Sequence, residues 1–564
     1  MTVKKTTVNL SRSRISGRFG SPGSFVRYCR DAVVRAFDSS LISRLLVRVR
    51  ETVPYVRNRV VGTFLLTFGI YSALIAVFKS VFEFGASEGD GFISVALAIA
   101  AIPLIISRGT VYTMLSTSRT GRVIGECIGI RLQAMGGTVA IGRSNIAFLL
   151  GMLAGTLTFI VDPAYIIGAI AAAIVAALIL TYPESTVVFA AGLLPLGSRN
   201  VFLFISVVGI ISFLIKFIRR KRYLAFPHHV KAALLFAAVV AFLGIVSGNV
   251  TAAVFIFMCM LIAVSDRNGE KAKFVSSVAL SFCAVMTALY LAFYALSYLS
   301  AMNADLSAFN VATLAIMSAA LTPVAASHMI TGEIMPRRTA FLCFCSIVAF
   351  LFVTGSYMCL VAAAVGMVLL FFAYRRRAAY FLMAIAGVIY AAWVWMGGSN
   401  RIAFDTFMGF LSEFNVDEKQ GLSALEIIYG QDLGRGAFSG DNFYDALISG
   451  VGLVGVAILC SALLLLAVYT VRIKKTAEGR AKRSYGFLCA FGYFSSVFVL
   501  LVCGAQFNVW GSDNIFILFW MMFASASAVA MGEKAKAEKS SEGYGHKEEN
   551  GLSAEIVISF DKTK

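Results

Sequence analysis

Charge is scarce in this chain: 14% of its 564 residues are Asp, Glu, Lys or Arg, against 59% hydrophobic. Mean hydropathy is +0.82. That balance excludes a soluble globular domain, which has no use for so much apolar side chain. Histidine is nearly missing, with only His228, His229, His328 and His546. No Walker loop, GxGxxG fingerprint, Ser-His-Asp arrangement or His/Cys metal spacing is present, which argues against phosphate-loop ATPases, dinucleotide enzymes and zinc enzymes. Of ten cysteines, Cys259, Cys283, Cys343, Cys345, Cys359, Cys460, Cys489 and Cys503 lie inside apolar runs. There they read as small packing hydrophobes. The first sixty residues lack an apolar h-region, so no cleavable signal peptide is expected. No internal repeat is visible.

What the chain does have is long apolar runs. A helix needs about 20 apolar residues to cross the hydrocarbon core. Such runs recur from 61–82 to 514–531, predicting an all-α polytopic membrane bundle of about 14–16 transmembrane helices. The shortest run, 184–197, is the weakest candidate. The net charge of +19 reads as positive-inside bias rather than as a nucleic-acid surface. With the N-terminus in the cytoplasm, Arg219 to Arg222, Lys271 with Lys273, Arg337-Arg338, Arg375 to Arg377 and Arg472 through Arg483 all fall inside. Glu83 to Asp90, Asp305, the 397–442 stretch and Gln506 to Asn514 fall outside. One register satisfies every cluster, so both termini are expected in the cytoplasm of a cell-membrane protein.

The expected organisation is a basic cytoplasmic segment at 1–60, a transmembrane region at 61–396, an extracytoplasmic loop at 397–442, C-terminal spans at 443–531 and a disordered cytoplasmic tail at 532–564. The basic segment carries Phe25, Val33, Val34, Phe37 and Leu41 among its cations. It reads either as an amphipathic helix on an anionic leaflet or as a solvated tail.

The loop is the richest stretch for chemistry, because long polar connections between spans are uncommon. Phe404, Phe407, Met408, Leu411 and Phe414 recur at helical spacing and predict a short amphipathic helix. Gly430, Gly434 and Gly436 permit tight turns. Cations on this face run against the positive-inside bias. They are Arg199, Arg401, Lys419 and Arg435, with Lys79 near the outer end of the first span. Arginine suits a pyrophosphate through paired donors, although each one also fits an ordinary loop charge. Asp441, at the mouth of the next helix, reads either as a helix cap or as a group acting on an acceptor.

Several segments, in order, resemble the O-antigen ligase and polymerase superfamily. Tyr182-Pro183-Glu184 followed by Leu194-Pro195 is similar to its "YPE…LP" element. Phe309-Asn310-Val311 through Ala315 resembles its "N-x-x-x-LA" helix start. Phe352 through Tyr357 resembles its "TGSRG" segment, and Gly434 through Phe438 its "G-x-G-x-F" turn. Asp441-Asn442-Phe443-Tyr444 with Gly450, Gly452 and Gly455 resembles its "HN-x-Y-L…G-x-x-G" element. The likeness covers roughly residues 180–530.

The resemblance implies transfer of an oligosaccharide from undecaprenyl pyrophosphate to a glycan or envelope acceptor in cell-surface polysaccharide synthesis, with a lipid bilayer as setting, no metal or other cofactor and no nucleic-acid partner. The outer cations Arg435, Arg401, Lys419 and Arg199 are the expected substrate-binding residues, together with Asn442 and Tyr357 at family motif positions, and Asp441 is the expected catalytic one. Two departures stand out. Tyr357 occupies the family arginine position and Asp441 the family histidine position. Three possibilities follow: Asp441 serves as base; Arg401, Lys419 or Arg435 replaces the missing cation; or the chain is an inactive relative. A multi-span transporter or lipid-glycan flippase is the alternative, and an assembly factor without activity is a third.

Overall fold

The computed structural model describes residues 55–82, 88–107, 109–117, 142–218, 226–247, 249–266, 268–300, 309–380, 383–384, 430, 443–478, 486–505 and 507–560. The order is α1 (Asn58–Val81), α2 (Glu88–Ile106), α3 (Val111–Thr117), α4 (Ser144–Leu157), α5 (Pro163–Thr181), α6 (Ser185–Leu193), α7 (Arg199–Ile218), α8 (His228–Ser247), α9 (Thr251–Ser265), α10 (Glu270–Ser300), α11 (Val311–Thr331), α12 (Arg337–Val353), α13 (Tyr357–Tyr374), α14 (Phe443–Glu478), α15 (Phe487–Cys503) and α16 (Asp513–Phe560). Among the described residues there is no strand, and nine helices are long and apolar enough to cross a membrane. The chain is an all-α polytopic membrane bundle. In lipid this follows from backbone chemistry, since a helix satisfies its own N–H and C=O groups.

Burial sorts the helices into centre and rim. The most apolar window of α16 is 94% buried and that of α11 is 83%, against 6% for α5. The central helices α9, α11, α15 and α16 hold the interior, with Trp510, Trp520, Tyr493 and Phe255 wholly enclosed. Rim helices turn residues such as Leu74, Val77, Phe242 and Leu464 outward, as lipid-facing positions should be. The rim trio α1, α2 and α4 packs through small residues. A Cβ on Gly69 would sit 2.7 Å from the Ser94 carbonyl oxygen, and Ser72 and Ser94 share a 2.7 Å hydroxyl hydrogen bond. Close backbone approach of this kind substitutes for a hydrophobic drive that lipid does not supply.

Helix ends follow local chemistry. Asn310 caps α11 by accepting from the Thr313 N–H at 3.1 Å. At its other end Gly332 adopts φ 63° and donates to the His328 carbonyl. The 184–197 run forms the nine-residue helix α6 and then turns. Helix α16 runs from Asp513 to Phe560.

Asp266 organises the start of α10. Its Oδ1 accepts from the N–H groups of Asn268 (3.3 Å) and Gly269 (3.1 Å), and its Oδ2 from Ala272 (2.9 Å). Burial pushes its carboxyl pKa above the ordinary value, against the opposing pull of these N–H groups and Lys271. The folded protein therefore binds a proton more readily here than the unfolded chain does. Stability from this group falls as pH rises from the ordinary carboxylate value through the raised one. Melting curves across that window should show the decline in the wild type and a flatter profile in Asp266→Asn. Parallel profiles would contradict this assignment.

Candidate functional site

The antiparallel helices give the bundle two ends, and the side-chain contacts separate them. One end gathers the start of α7, the α8–α9 turn, the start of α14, the end of α15 and the start of α16. There Arg199 Nη2 donates to Asn249 Oδ1 at 3.0 Å and to Thr251 Oγ1 at 2.6 Å. Thr251 in turn bonds Asn249. Asp513, the first residue of α16, lies within electrostatic reach of the same guanidinium. Arg199 thus ties α7 to the α8–α9 turn beneath an acidic neighbour.

Phe443 and Tyr444, which follow the 397–442 stretch, attach to this same end of the bundle. The Phe443 N–H donates to the Gly504 carbonyl at 3.1 Å. Tyr444 Oη donates to the Leu501 carbonyl at 3.0 Å. The Phe443 ring packs edge-on to Trp510, with centroids 4.9 Å apart, and Trp510 leads into a buried aromatic group with Phe516, Phe519 and Trp520. Further along α14 the helix breaks at Gly452, with φ 65° and ψ 179°. Gly430, at φ 79°, rests against that break. A Cβ on it would meet the Gly450 carbonyl oxygen at 2.6 Å and the Gly452 nitrogen at 2.8 Å. Both contacts are backbone and cannot move aside. Gly430→Ala should therefore lift this segment off α14, read as faster amide exchange at 450–455 and easier proteolysis near 430. Unchanged exchange would refute the contact.

Of the candidate catalytic and substrate-binding residues, Arg199 and Tyr357 fall among those described. Arg401, Lys419, Arg435, Asp441 and Asn442 lie outside the described residues, as does the amphipathic helix expected at 404–414. Tyr357 opens α13 after Gly355 (φ 63°), is 76% exposed, and makes no described contact with Arg199. The other motif residues take structural roles: Asn310 as cap, Gly452 as helix break, and Glu184 as a buried partner of Lys271 at 2.9 Å.

The opposite end holds a cluster that the sequence did not announce. Lys273, 1% exposed, pairs with Glu333 and lies 3.8 Å from Glu270. Lys536 reaches Glu270 at 3.3 Å and the buried Glu533 at 3.1 Å. Deeper in, His328 Nε2 lies 3.3 Å from Tyr493 Oη and 3.5 Å from Ser276 Oγ. His229, against the Tyr469 ring, bonds Ser527 at 2.7 Å. The cluster joins α10, α11, α15 and α16. Charge counting alone reads Lys273 as one more cation of the inner face. Its helical register with Ser276 and Ser277 was the available signal that it turns inward. Among the described residues no group of His, Cys, Asp and Glu is placed to hold a metal ion.

Comparison with protein-family models, with curated proteins and with solved structures gives no match to this chain.

Proposed function

We propose that this protein is a membrane glycosyltransferase of the O-antigen ligase and polymerase type. It would move an oligosaccharide from undecaprenyl pyrophosphate to a glycan or envelope acceptor at the outer leaflet of the cell membrane. The observation that supports this reading best is the meeting of Arg199 and the anchor of the 397–442 stretch at one end of the bundle. The Arg199 bonds to Asn249 and Thr251 both fall on Nη2, and among the described residues no hydrogen bond falls on Nε or Nη1. Those donors suit a phosphate oxygen. In this reaction the acceptor hydroxyl attacks the anomeric carbon, the bond from that carbon to the pyrophosphate oxygen breaks, and lipid pyrophosphate leaves. Asp441 takes the hydroxyl proton. Arg199, with Arg401, Lys419 and Arg435, stabilises the departing charge, and Asn442 and Tyr357 contact the substrate. The test is acceptor-dependent release of undecaprenyl pyrophosphate by the purified protein.

A second reading, a transporter or lipid-glycan flippase, draws on the Lys273 cluster. Ionisable residues enclosed within a membrane bundle often mark a pathway. Donor crossing the bilayer without being consumed would favour it.

The glycosyltransferase reading requires the Arg199 end to face outward. A cysteine placed at Glu418, in a background lacking the native cysteines, should react with an impermeant maleimide added to intact cells. Reaction only after permeabilisation would reverse the orientation and remove the proposed site from the outer leaflet.

A further inference from the structure

We infer that Cys359 and Cys503 form a reversible disulfide site that locks α13 to α15 beside the anchor of the 397–442 segment. The inference is independent of the proposed glycan chemistry and begins from helix packing. Gly366 on α13 lies against α15: a Cβ there would sit 2.3 Å from Val499 Cγ2 and 3.6 Å from the Ser495 carbonyl oxygen. The two helices are antiparallel. Two turns back from Gly366, and one to two turns on from Ser495 and Val499, therefore lead to the same level of the bundle. At that level the register brings the free cysteines Cys359 and Cys503 onto the facing sides of α13 and α15.

Both side chains are enclosed, at 1% and 0% exposure. Ala362, Ala363 and Gly366 form the buried face of α13 around them. Small residues let helix backbones approach, and a disulfide needs Cα atoms within about 4.4–6.8 Å. Cys359 lies in the first turn of α13 and Cys503 is the last residue of α15. Both are enclosed, so a reagent reaches them through local opening of those helix ends.

The position gives the bond a consequence. The residue after Cys503 is Gly504, whose carbonyl holds the Phe443 N–H, and Leu501 holds Tyr444. A bond at Cys503 fixes the ledge on which residue 443 enters α14. In the chemistry, one thiolate attacks a sulfur of a disulfide oxidant and releases one oxidant thiol. The second thiolate then displaces the other oxidant thiol from the mixed disulfide. Two cysteine protons are released, two electrons pass to the oxidant, and an S–S bond forms. The oxidant is any protein or small-molecule disulfide reaching this end of the bundle.

The experiment treats the full-length protein in nanodiscs with dithiodipyridine, removes the reagent, denatures, alkylates, and maps peptides by mass spectrometry. The expected result is a peptide pair linking 359 to 503 and released by dithiothreitol, with accessible cysteines such as Cys345 and Cys460 carrying single-residue reagent adducts. Amide exchange at 443–446 should slow in the oxidised form. Cys359→Ser should leave Cys503 open to alkylation; if that variant does not fold, Cys503→Ala makes the reciprocal test, and the wild-type map stands by itself. Ten alkylated cysteines after oxidation, a link mapping elsewhere, or separate reagent adducts on both residues would each overturn the inference.

Discussion

Asp441→Asn is expected to lower glycan transfer by about 10²–10⁴-fold, the usual loss when a general base is removed. Its thermal stability should stay within about 1 kcal/mol of wild type, because Asn caps a helix nearly as well as Asp. The two roles proposed for this residue separate cleanly under this substitution. A cap alone predicts full activity; a base predicts a stable, inactive protein. The comparison is to be made at saturating donor, so that a binding defect is not read as a chemical one. Wild-type rates in Asp441→Asn would remove the residue from the mechanism and leave the fold intact.

The largest effect on stability is expected at the other end of the bundle. Lys273 is 1% exposed and pairs with Glu333, whose side chain is 37% exposed. Glu333→Ala leaves the enclosed ammonium with Glu270, 3.8 Å away, as its remaining carboxylate partner. Breaking a buried pair from one side costs about 3–5 kcal/mol. The partial exposure of Glu333 and the help from Glu270 reduce the expected loss to about 2–3 kcal/mol. The double variant Lys273→Met with Glu333→Leu should recover most of it, since apolar pairs of similar volume often replace buried ion pairs without loss. Chemical unfolding in detergent measures both. A stability for Glu333→Ala equal to wild type would show that water reaches Lys273. The double variant bears on function as well. If it is stable and still transfers glycan, the cluster is structural; if it is stable and has lost substrate movement across the bilayer, the transport reading gains.

The spans were legible because lipid leaves few choices. An apolar run of the right length bounded by polar residues has one low-energy form, and the runs at 200–218 and 357–373 match α7 and α13 within a residue. Arg199 meets the α8–α9 turn and Lys271 meets Glu184 at opposite ends of the bundle. Pairing within the bundle was not legible. Hydropathy does not separate Lys273, which is enclosed, from its neighbour Lys271, whose side chain is 30% exposed; only the helical register with Ser276 and Ser277 sets it apart. Glycine roles were legible only in part. The likeness of Gly450, Gly452 and Gly455 to a family element marked the place, but the break at Gly452 and its contact with Gly430 depend on a tertiary approach. Of the candidate site, Arg199 is placed and tied to its neighbours, Tyr357 stands apart from it, and the remaining residues lie outside the described part of the chain.

The most direct measurement is acceptor-dependent turnover of the lipid-linked donor. Purified protein in nanodiscs would be given labelled undecaprenyl-pyrophosphate oligosaccharide with and without a glycan acceptor, and free undecaprenyl pyrophosphate would be quantified. The glycosyltransferase account predicts release that depends on acceptor and is lost in Asp441→Asn. An intact donor in every arm, with the same protein in vesicles carrying that donor from one leaflet to the other, would contradict it.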